Sequence, residues 1–131
     1  MWFSLNYIYN RGLAAEKDYK YTGTDAPCKT NIKRKIPKNK FSSTLAFWEE
    51  KNYKILQLIL NKTPVAITIE VNKDYMFYKS GILQVDPECG NRMNHAALLV
   101  GYGEANNSNF VNIQNSWGTN WGDKGLSLIH I

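Results

Sequence analysis

The chain has 131 residues, of which 44% are hydrophobic and 13% aromatic, and a formal net charge of +5. This length and composition fit one ordinary globular domain with enough apolar material for a core. No apolar run approaches the roughly 18 residues that a membrane-spanning helix needs, so no membrane partner is predicted. The first residues lack the basic start and apolar stretch of a signal peptide. Either the protein is cytosolic or its start is missing.

The positive charge is concentrated between residues 29 and 40, at Lys29, Lys33, Arg34, Lys35, Lys38 and Lys40. Such a cluster can contact nucleic acid or another anionic surface. It can equally be a solvated connecting loop, and this segment contains Pro37 and no aromatic residue that could stack on a base. We favour the loop and predict no nucleic-acid partner.

The chain has two cysteines, Cys28 and Cys89, and two histidines, His95 and His130. Zinc signatures place pairs of ligands two to four residues apart, and these residues do not follow that spacing. We therefore predict no metal site and no cofactor. The cysteines can bridge each other or stay free thiols, and their count alone does not distinguish the two.

In chain order, the first predicted element is an amphipathic helix from Trp2 to Tyr9 that ends near Gly12. Residues 19–27 have no helical period and are rich in turn formers, which indicates an irregular loop. Residues 28–43 are basic and polar, and we interpret them as a connection between two lobes.

A second helix is predicted after the capping hydroxyls at 42–44, with Trp48, Ile55, Leu56, Ile59 and Leu60 on one side. Residues 61–64 end it. The β-branched run 65–71 predicts a strand, 74–78 a short helix, and 82–83 a further extended piece.

The last predicted unit is a hairpin with strands at 95–102 and 110–115 and a turn-rich loop at 103–109. If the loop is centred near Ala105, paired positions add up to about 210, which sets His95 directly opposite Asn115. An Asn side-chain oxygen can accept a histidine ring N–H and fix the ring, as the base of a thiol protease requires. For an isolated pair, the alternative is a buried core histidine and a strand-end asparagine.

Two motifs decide between these interpretations, because the sequence here resembles the papain and cathepsin family of cysteine peptidases. Residues 94–103 (NHAALLVGYG) are similar to the family's histidine strand, and residues 115–122 (NSWGTNWG) to its asparagine motif. The resemblance extends upstream to the helical lobe and the β-rich lobe. The upstream positions are Gly12, Leu13, Glu16, Tyr19, Tyr21, Gly23, Cys28, 64–69 and 78–82.

The resemblance implies an α+β, papain-like fold. Residues 1–40 would be the end of the helical left lobe with the inter-lobe connection, and residues 41–131 the antiparallel, barrel-like right lobe. His95 would be the general base, Asn115 its orienting residue, and Trp117 the indole that shields their bond. The expected substrate-binding residues are Thr68, Met93, Asn94, Ala97 and Trp117.

The sequence departs from the family pattern in three places. The family's nucleophile lies in a Cys-Gly-Ser-Cys-Trp type segment, which this chain lacks. Cys28 and Cys89 resemble the family's disulfide cysteines, whose partners would lie outside this chain. Residues 126–131 do not follow the family's C-terminal strand, so we interpret them as a sequencing or assembly artefact, with no role for His130. The expectation is a fragment truncated at both ends.

The resemblance implies a parent protein that cuts polypeptides through a thiolate acyl-enzyme, in a lysosomal, vacuolar or extracellular compartment. The fragment would carry the His and Asn half of the site and would be inactive without the missing N-terminal half. The alternative is a non-catalytic homologue that acts as a binding module.

Overall fold

The computed structural model describes residues 2–39, 53–84 and 92–131. The chain divides into two compact units, residues 1–47 and residues 48–131. Within the described ranges, no helix is long and apolar enough to cross a membrane.

The first unit begins with the predicted helix, α1, at Trp2–Arg11. It ends because Gly12 takes a left-handed φ of +79° and donates its N–H to the carbonyl of Ile8 at 2.7 Å. Glycine adopts this conformation without a steric penalty. Strand β1 (Leu13–Ala14) then pairs antiparallel with β2 (Arg34–Ile36). A short strand therefore lies inside the basic segment that we expected to be only a connection.

Arg34, one of the cations of the basic segment, makes specific contacts within this unit. The Arg34 guanidinium donates to the carbonyl oxygen of Gly12 and to the hydroxyl of Tyr7, both at 3.2 Å. It also lies 5.7 Å from the centre of the Tyr7 ring, within the range of a cation–π contact. Arg34 thus stabilises the turn between α1 and β1. Lys40, the last cation of the basic segment, lies outside the described residues.

In its described residues, the second unit combines two short helices with a five-stranded sheet, as the predicted α+β class requires. Helix α2 is Tyr53–Leu60, and its predicted start around Trp48 lies outside the described residues. Helix α3 is Lys73–Met76, capped by Asn72, whose side chain accepts from the N–H of Tyr75 at 2.9 Å. In spatial order the strands are β3 (Val65–Ile69), β5 (His95–Ala105), β6 (Ser108–Gln114), β7 (Leu126–His130) and β4 (Ile82–Leu83).

The sheet is mostly antiparallel, but β4 pairs parallel with β7. Strand β7 is built from the C-terminal segment that we interpreted as an artefact. Its residues pair with β6 on one side and β4 on the other, and Ser127 is 0% exposed. The segment that departs from the family pattern therefore forms an internal strand of the sheet.

The core lies between the sheet and α2. Its buried members are Leu56 of α2, Leu99 of β5, and Val111 and Ile113 of β6. Burying such side chains is the main source of stability, at about 1.5–3 kcal/mol each. The β-branched and aliphatic alternation in the strands, which predicted them, is what delivers these residues to one face.

The β5–β6 hairpin is tighter than the predicted loop at 103–109. Only Asn106 and Asn107 form the turn, with φ values of 52° and 59°. Left-handed φ at both central residues is the type I′ geometry that matches the strand twist, and Asn tolerates it. Gly103 belongs to β5 and faces Phe110, whose ring occupies the space that a Cβ at position 103 would need.

The hairpin register also differs from the prediction. Leu98 pairs with Gln114, so the next position of the ladder places Asn115 opposite Ala97. Ala97 lies two residues after His95 in β5. The predicted direct opposition of His95 and Asn115 is therefore wrong. The two residues are diagonal neighbours, a distance that longer side chains can bridge.

Candidate active site

Two strand ends bring together a histidine and an asparagine. His95 is the first residue of β5 and pairs with Ile69, the last residue of β3. Asn115 follows the last residue of β6 and is 9% exposed. The His95 Nε2 and the Asn115 Oδ1 are 2.9 Å apart. The sequence prediction that these two side chains meet is confirmed.

The surrounding backbone fixes the orientation of the Asn115 carboxamide. The Asn115 N–H donates to the carbonyl of Gly125 at 2.9 Å, and the Ser116 N–H donates to Asn115 Oδ1 at 2.7 Å. Since a carboxamide oxygen only accepts, the His95 nitrogen that contacts it must carry the proton. The ring is therefore held as the Nε2–H form, which leaves Nδ1 free to accept a proton from another group.

The same carboxamide has one polar atom without a partner. Asn115 Nδ2 is buried and makes no hydrogen bond to any residue that the structure describes. A buried donor without an acceptor costs about 1–3 kcal/mol. Asn115 therefore serves the histidine at some expense in stability.

Trp117 covers the histidine. Its ring centre lies 4.9 Å from that of His95, with the planes tilted by 43°, and its side chain is 39% exposed. One face of the indole therefore meets the imidazole while part of the ring meets solvent.

Trp117 is itself part of an aromatic cluster that the sequence analysis did not identify. Tyr75 lies 5.9 Å from Trp117, and Trp121 lies 5.1 Å from both. The Trp121 indole N–H donates to the carbonyl of Met76 at 2.9 Å. This bond links the loop after β6 to α3. Trp117 therefore packs against two aromatic residues whose positions are fixed by the fold. Trp121 stands inside the asparagine motif, which was the available signal.

A buried hydroxyl pair anchors this cluster to the sheet. Tyr75 is 2% exposed, and its hydroxyl lies 3.3 Å from that of Ser127 in β7. Burial raises the pKa of Tyr75 above its ordinary value of 10.0, since the charged form would be poorly solvated, while the Ser127 hydrogen bond acts in the opposite direction. Tyr75 thus favours the neutral form.

Comparisons with known proteins agree with this geometry. A family model described as papain family cysteine protease matches residues 1–130. This chain belongs to that family. It is 33% identical over 126 residues to pro-cathepsin H of Mus musculus, an alignment that covers 93% of this chain and 37% of the mouse protein. It is 36% identical to cysteine proteinase 2 of Entamoeba histolytica, covering 92% and 38% respectively.

A solved structure leads to the same fold. The bromelain protease of Ananas comosus, solved in complex with the E64 inhibitor, is similar with a TM-score of 0.80 at 27% identity. That comparison covers 97% of this papain-family chain and 58% of the bromelain chain. The predicted papain-like fold is therefore confirmed, and the chain spans little more than a third of the length of the curated relatives it matches.

The structure does not bring all of the predicted substrate-binding residues of this papain-family chain together. Thr68 is exposed and pairs with Ala96, so both side chains lie on one face of the sheet. Ala97 pairs with Ile67 and packs against the core on the other face. Ala97 is thus a core contact, and Ala96 is the alanine that shares a face with Thr68.

The other two predicted pocket residues precede His95. Met93 is 63% exposed. Asn94 uses its side chain to extend the sheet: its Oδ1 accepts from the N–H of Val71 at 2.8 Å, and its Nδ2 donates to the carbonyl of Val71 at 3.2 Å. Both ends of the Asn94 carboxamide are therefore engaged by backbone.

Among the described residues there is no group of three or more His, Cys, Asp or Glu side chains that could hold a metal. Cys28 is an exposed free thiol in the first unit. Cys89 lies outside the described residues. What the second unit offers chemically is an oriented imidazole with one nitrogen available as a base.

Proposed function

We propose that this chain supplies the base half of a cysteine peptidase site, with His95 as general base and Asn115 as its orienting residue. The observation that carries the proposal is the 2.9 Å contact between His95 Nε2 and Asn115 Oδ1. It holds the ring in the Nε2–H form and leaves Nδ1 to receive a thiol proton. Family membership supports the same reaction class.

In the proposed reaction, a cysteine thiol passes its proton to His95 Nδ1, and the resulting thiolate attacks the carbonyl carbon of a peptide bond. The carbon–nitrogen bond then breaks, and the amine leaves with the proton from Nδ1. Water, deprotonated by the same nitrogen, hydrolyses the thioester and returns the thiol. Throughout, the bond to Asn115 keeps the ring in one orientation.

We propose that the nucleophile lies in a segment N-terminal to residue 1. Cys28 and Cys89 have sequence contexts that differ from the family's nucleophile segment. The chain spans 37% of the mouse relative, which leaves room in the parent protein for the absent half of the site. The chain of 131 residues should then be inactive by itself, and its partners would be that N-terminal half and a polypeptide substrate.

The proposed pocket for the substrate side chain contains Thr68 and Met93, which are exposed, and Trp117 would border the leaving-group side of the cleft. We also propose a lysosomal, vacuolar or extracellular location. The relatives include a cathepsin, and Asn106 in the exposed hairpin turn begins an Asn-Asn-Ser acceptor sequence for N-glycosylation.

The test begins with the transcript upstream of the Met1 codon, where we expect a Cys-Gly-Ser-Cys-Trp type segment. The extended protein should cleave a fluorogenic dipeptide, and His95→Ala should abolish the cleavage. His130→Ala is the matched control and should leave it unchanged. Serine or glycine at the nucleophile position would overturn the proposal in favour of a non-catalytic binding module. Turnover by the 131-residue chain alone would instead overturn the placement of the nucleophile upstream of residue 1.

A further inference from the structure

The chain that leads into His95 is held to the end of β3 by contacts that the proposed chemistry does not use. The Asn94 N–H donates to the carbonyl of Ile69 at 3.2 Å, next to the Asn94–Val71 bonds. Two residues earlier, the Arg92 N–H donates to Glu70 Oε2 at 3.0 Å. The Arg92 Nε lies 3.5 Å from Glu70 Oε1. Both carboxylate oxygens of Glu70 therefore bind the same residue.

The two partners of this ion pair differ sharply in burial. The Glu70 side chain is 11% exposed, whereas that of Arg92 is 88% exposed. An exposed guanidinium adds about 0–1 kcal/mol to such a pair, because solvent screens it and its side chain loses entropy. The bond from the Arg92 N–H to the half-buried Glu70 carboxylate is charge-assisted, and hydrogen bonds to charged groups are worth about 1.5–3 kcal/mol. Most of the hold should therefore act on the Arg92 backbone.

This hold acts close to the proposed base. His95 is the first residue of β5, so the regular strand pairing begins at this residue, and Arg92 is three residues away on its N-terminal side. The bond to Asn115 at 2.9 Å would be lost if the ring moved away by about 0.6 Å, since contacts beyond about 3.5 Å are not hydrogen bonds. Small backbone shifts before His95 therefore matter.

We propose that Glu70 is a positioning residue for His95, acting by fixing the backbone of Arg92 and hence the entry of the chain into β5. The importance of this position for catalysis rests on the proposed function. The claim that Glu70 fixes the orientation of the His95 ring does not depend on that function, because the orientation can be measured without any turnover. The asymmetry in burial adds a specific expectation: the carboxylate matters more than the guanidinium that it pairs with.

The test is NMR of the 131-residue chain with ¹⁵N-labelled histidine. The chain has two histidines, so His130 serves as an internal reference beside His95. We expect Glu70→Ala to accelerate exchange of the His95 Nε2–H with water by about tenfold or more, the factor for one lost charge-assisted bond. The His130 ring should be unaffected. Arg92→Ala, which keeps the backbone N–H, should accelerate exchange by less than about fivefold.

A second variant guards against loss of the fold in Glu70→Ala. Glu70→Gln keeps one oxygen acceptor for the Arg92 N–H but loses the charge, so its exchange rate should lie between those of the wild type and Glu70→Ala. Unchanged exchange in both Glu70 variants would overturn the proposal. Equal effects of Arg92→Ala and Glu70→Ala would also overturn it, because Glu70 would then act only through the guanidinium.

The same spectra separate this inference from the proposed function. A wild-type His95 ring without a protected Nε2–H would contradict the His95–Asn115 bond and with it the peptidase proposal. A protected ring that Glu70→Ala releases, in a parent protein that lacks peptidase activity, would support the positioning role and refute the catalytic one.

Discussion

Replacing Asn115 by alanine removes the residue that orients His95, yet two opposing effects should leave the stability of the fold nearly unchanged. The substitution deletes the oxygen that accepts from His95 Nε2–H and from the Ser116 N–H. It also deletes Nδ2, which is buried without a partner among the described residues. The first change destabilises the folded state and the second stabilises it.

The two effects have similar size. Each lost hydrogen bond costs about 0.5–1.5 kcal/mol of net stability, so two bonds cost about 1–3 kcal/mol. Removing a buried polar atom without a partner returns about 1–3 kcal/mol. The free energy of unfolding of Asn115→Ala should therefore lie within about 2 kcal/mol of the wild-type value. The His95 Nε2–H should nevertheless lose its protection from exchange.

The measurement is urea unfolding followed by circular dichroism, combined with NMR of the histidine rings. Asn109→Ala is the matched control, because Asn109 is an exposed asparagine of β6, the strand that Asn115 follows. It should change stability by less than about 0.5 kcal/mol and leave His95 protected. A loss of more than about 3 kcal/mol in Asn115→Ala would refute the reasoning, since Nδ2 would then have a partner outside the described residues.

Substitutions at three further positions test the scaffold. Tyr75→Phe leaves the buried Ser127 hydroxyl unpaired and should cost about 1–3 kcal/mol at pH 7. Because burial raises the pKa of folded Tyr75, its stabilising contribution is complete below pH 10 and is lost as pH rises through the folded value. Urea unfolding at pH 7 and at about pH 11 should therefore show the gap between wild type and Tyr75→Phe narrowing, and a constant gap would contradict the shift. Ile113→Ala should cost about 2–5 kcal/mol and Ile113→Val about 0.5–1.5 kcal/mol, and similar losses for the two would contradict close packing around this residue. In the turn, Asn107→Gly should raise the melting temperature and Asn107→Val should lower it, because the φ of 59° favours glycine over β-branched residues; the reverse order would refute the type I′ assignment.

The hairpin illustrates how far the residue pattern leads. Apolar composition predicted both strands, and the hairpin between them predicted that His95 meets Asn115. The structure confirms the strands and the contact, although the register differs by two residues. The turn was misjudged because Gly103 looks like a turn residue, whereas it lies within β5 under a phenylalanine ring. A glycine can be required because a neighbouring side chain leaves no space for a Cβ, or because the backbone needs a positive φ. The local sequence does not distinguish these two cases.

The face on which a side chain lies was harder to predict than the strand that carries it. Ala96 and Ala97 are identical neighbours, so only the pairing with β3 reveals that Ala96 shares a face with Thr68. The contact between Glu70 and Arg92 joins residues far apart in sequence and needs the completed sheet. The interpretation of residues 126–131 as an artefact rested on a family pattern, although the apolar residues between Leu126 and His130 are compatible with the strand that they form.

Because Phe110 lies so close to Gly103, the residue types that are tolerated at these two positions depend on each other. Any side chain at position 103 would meet the ring of its cross-strand partner, so it could be accepted only together with a smaller residue at position 110. Among related sequences, the two positions should therefore change together or not at all. A library randomised at both positions should yield folded proteins in which the combined side-chain volume is conserved.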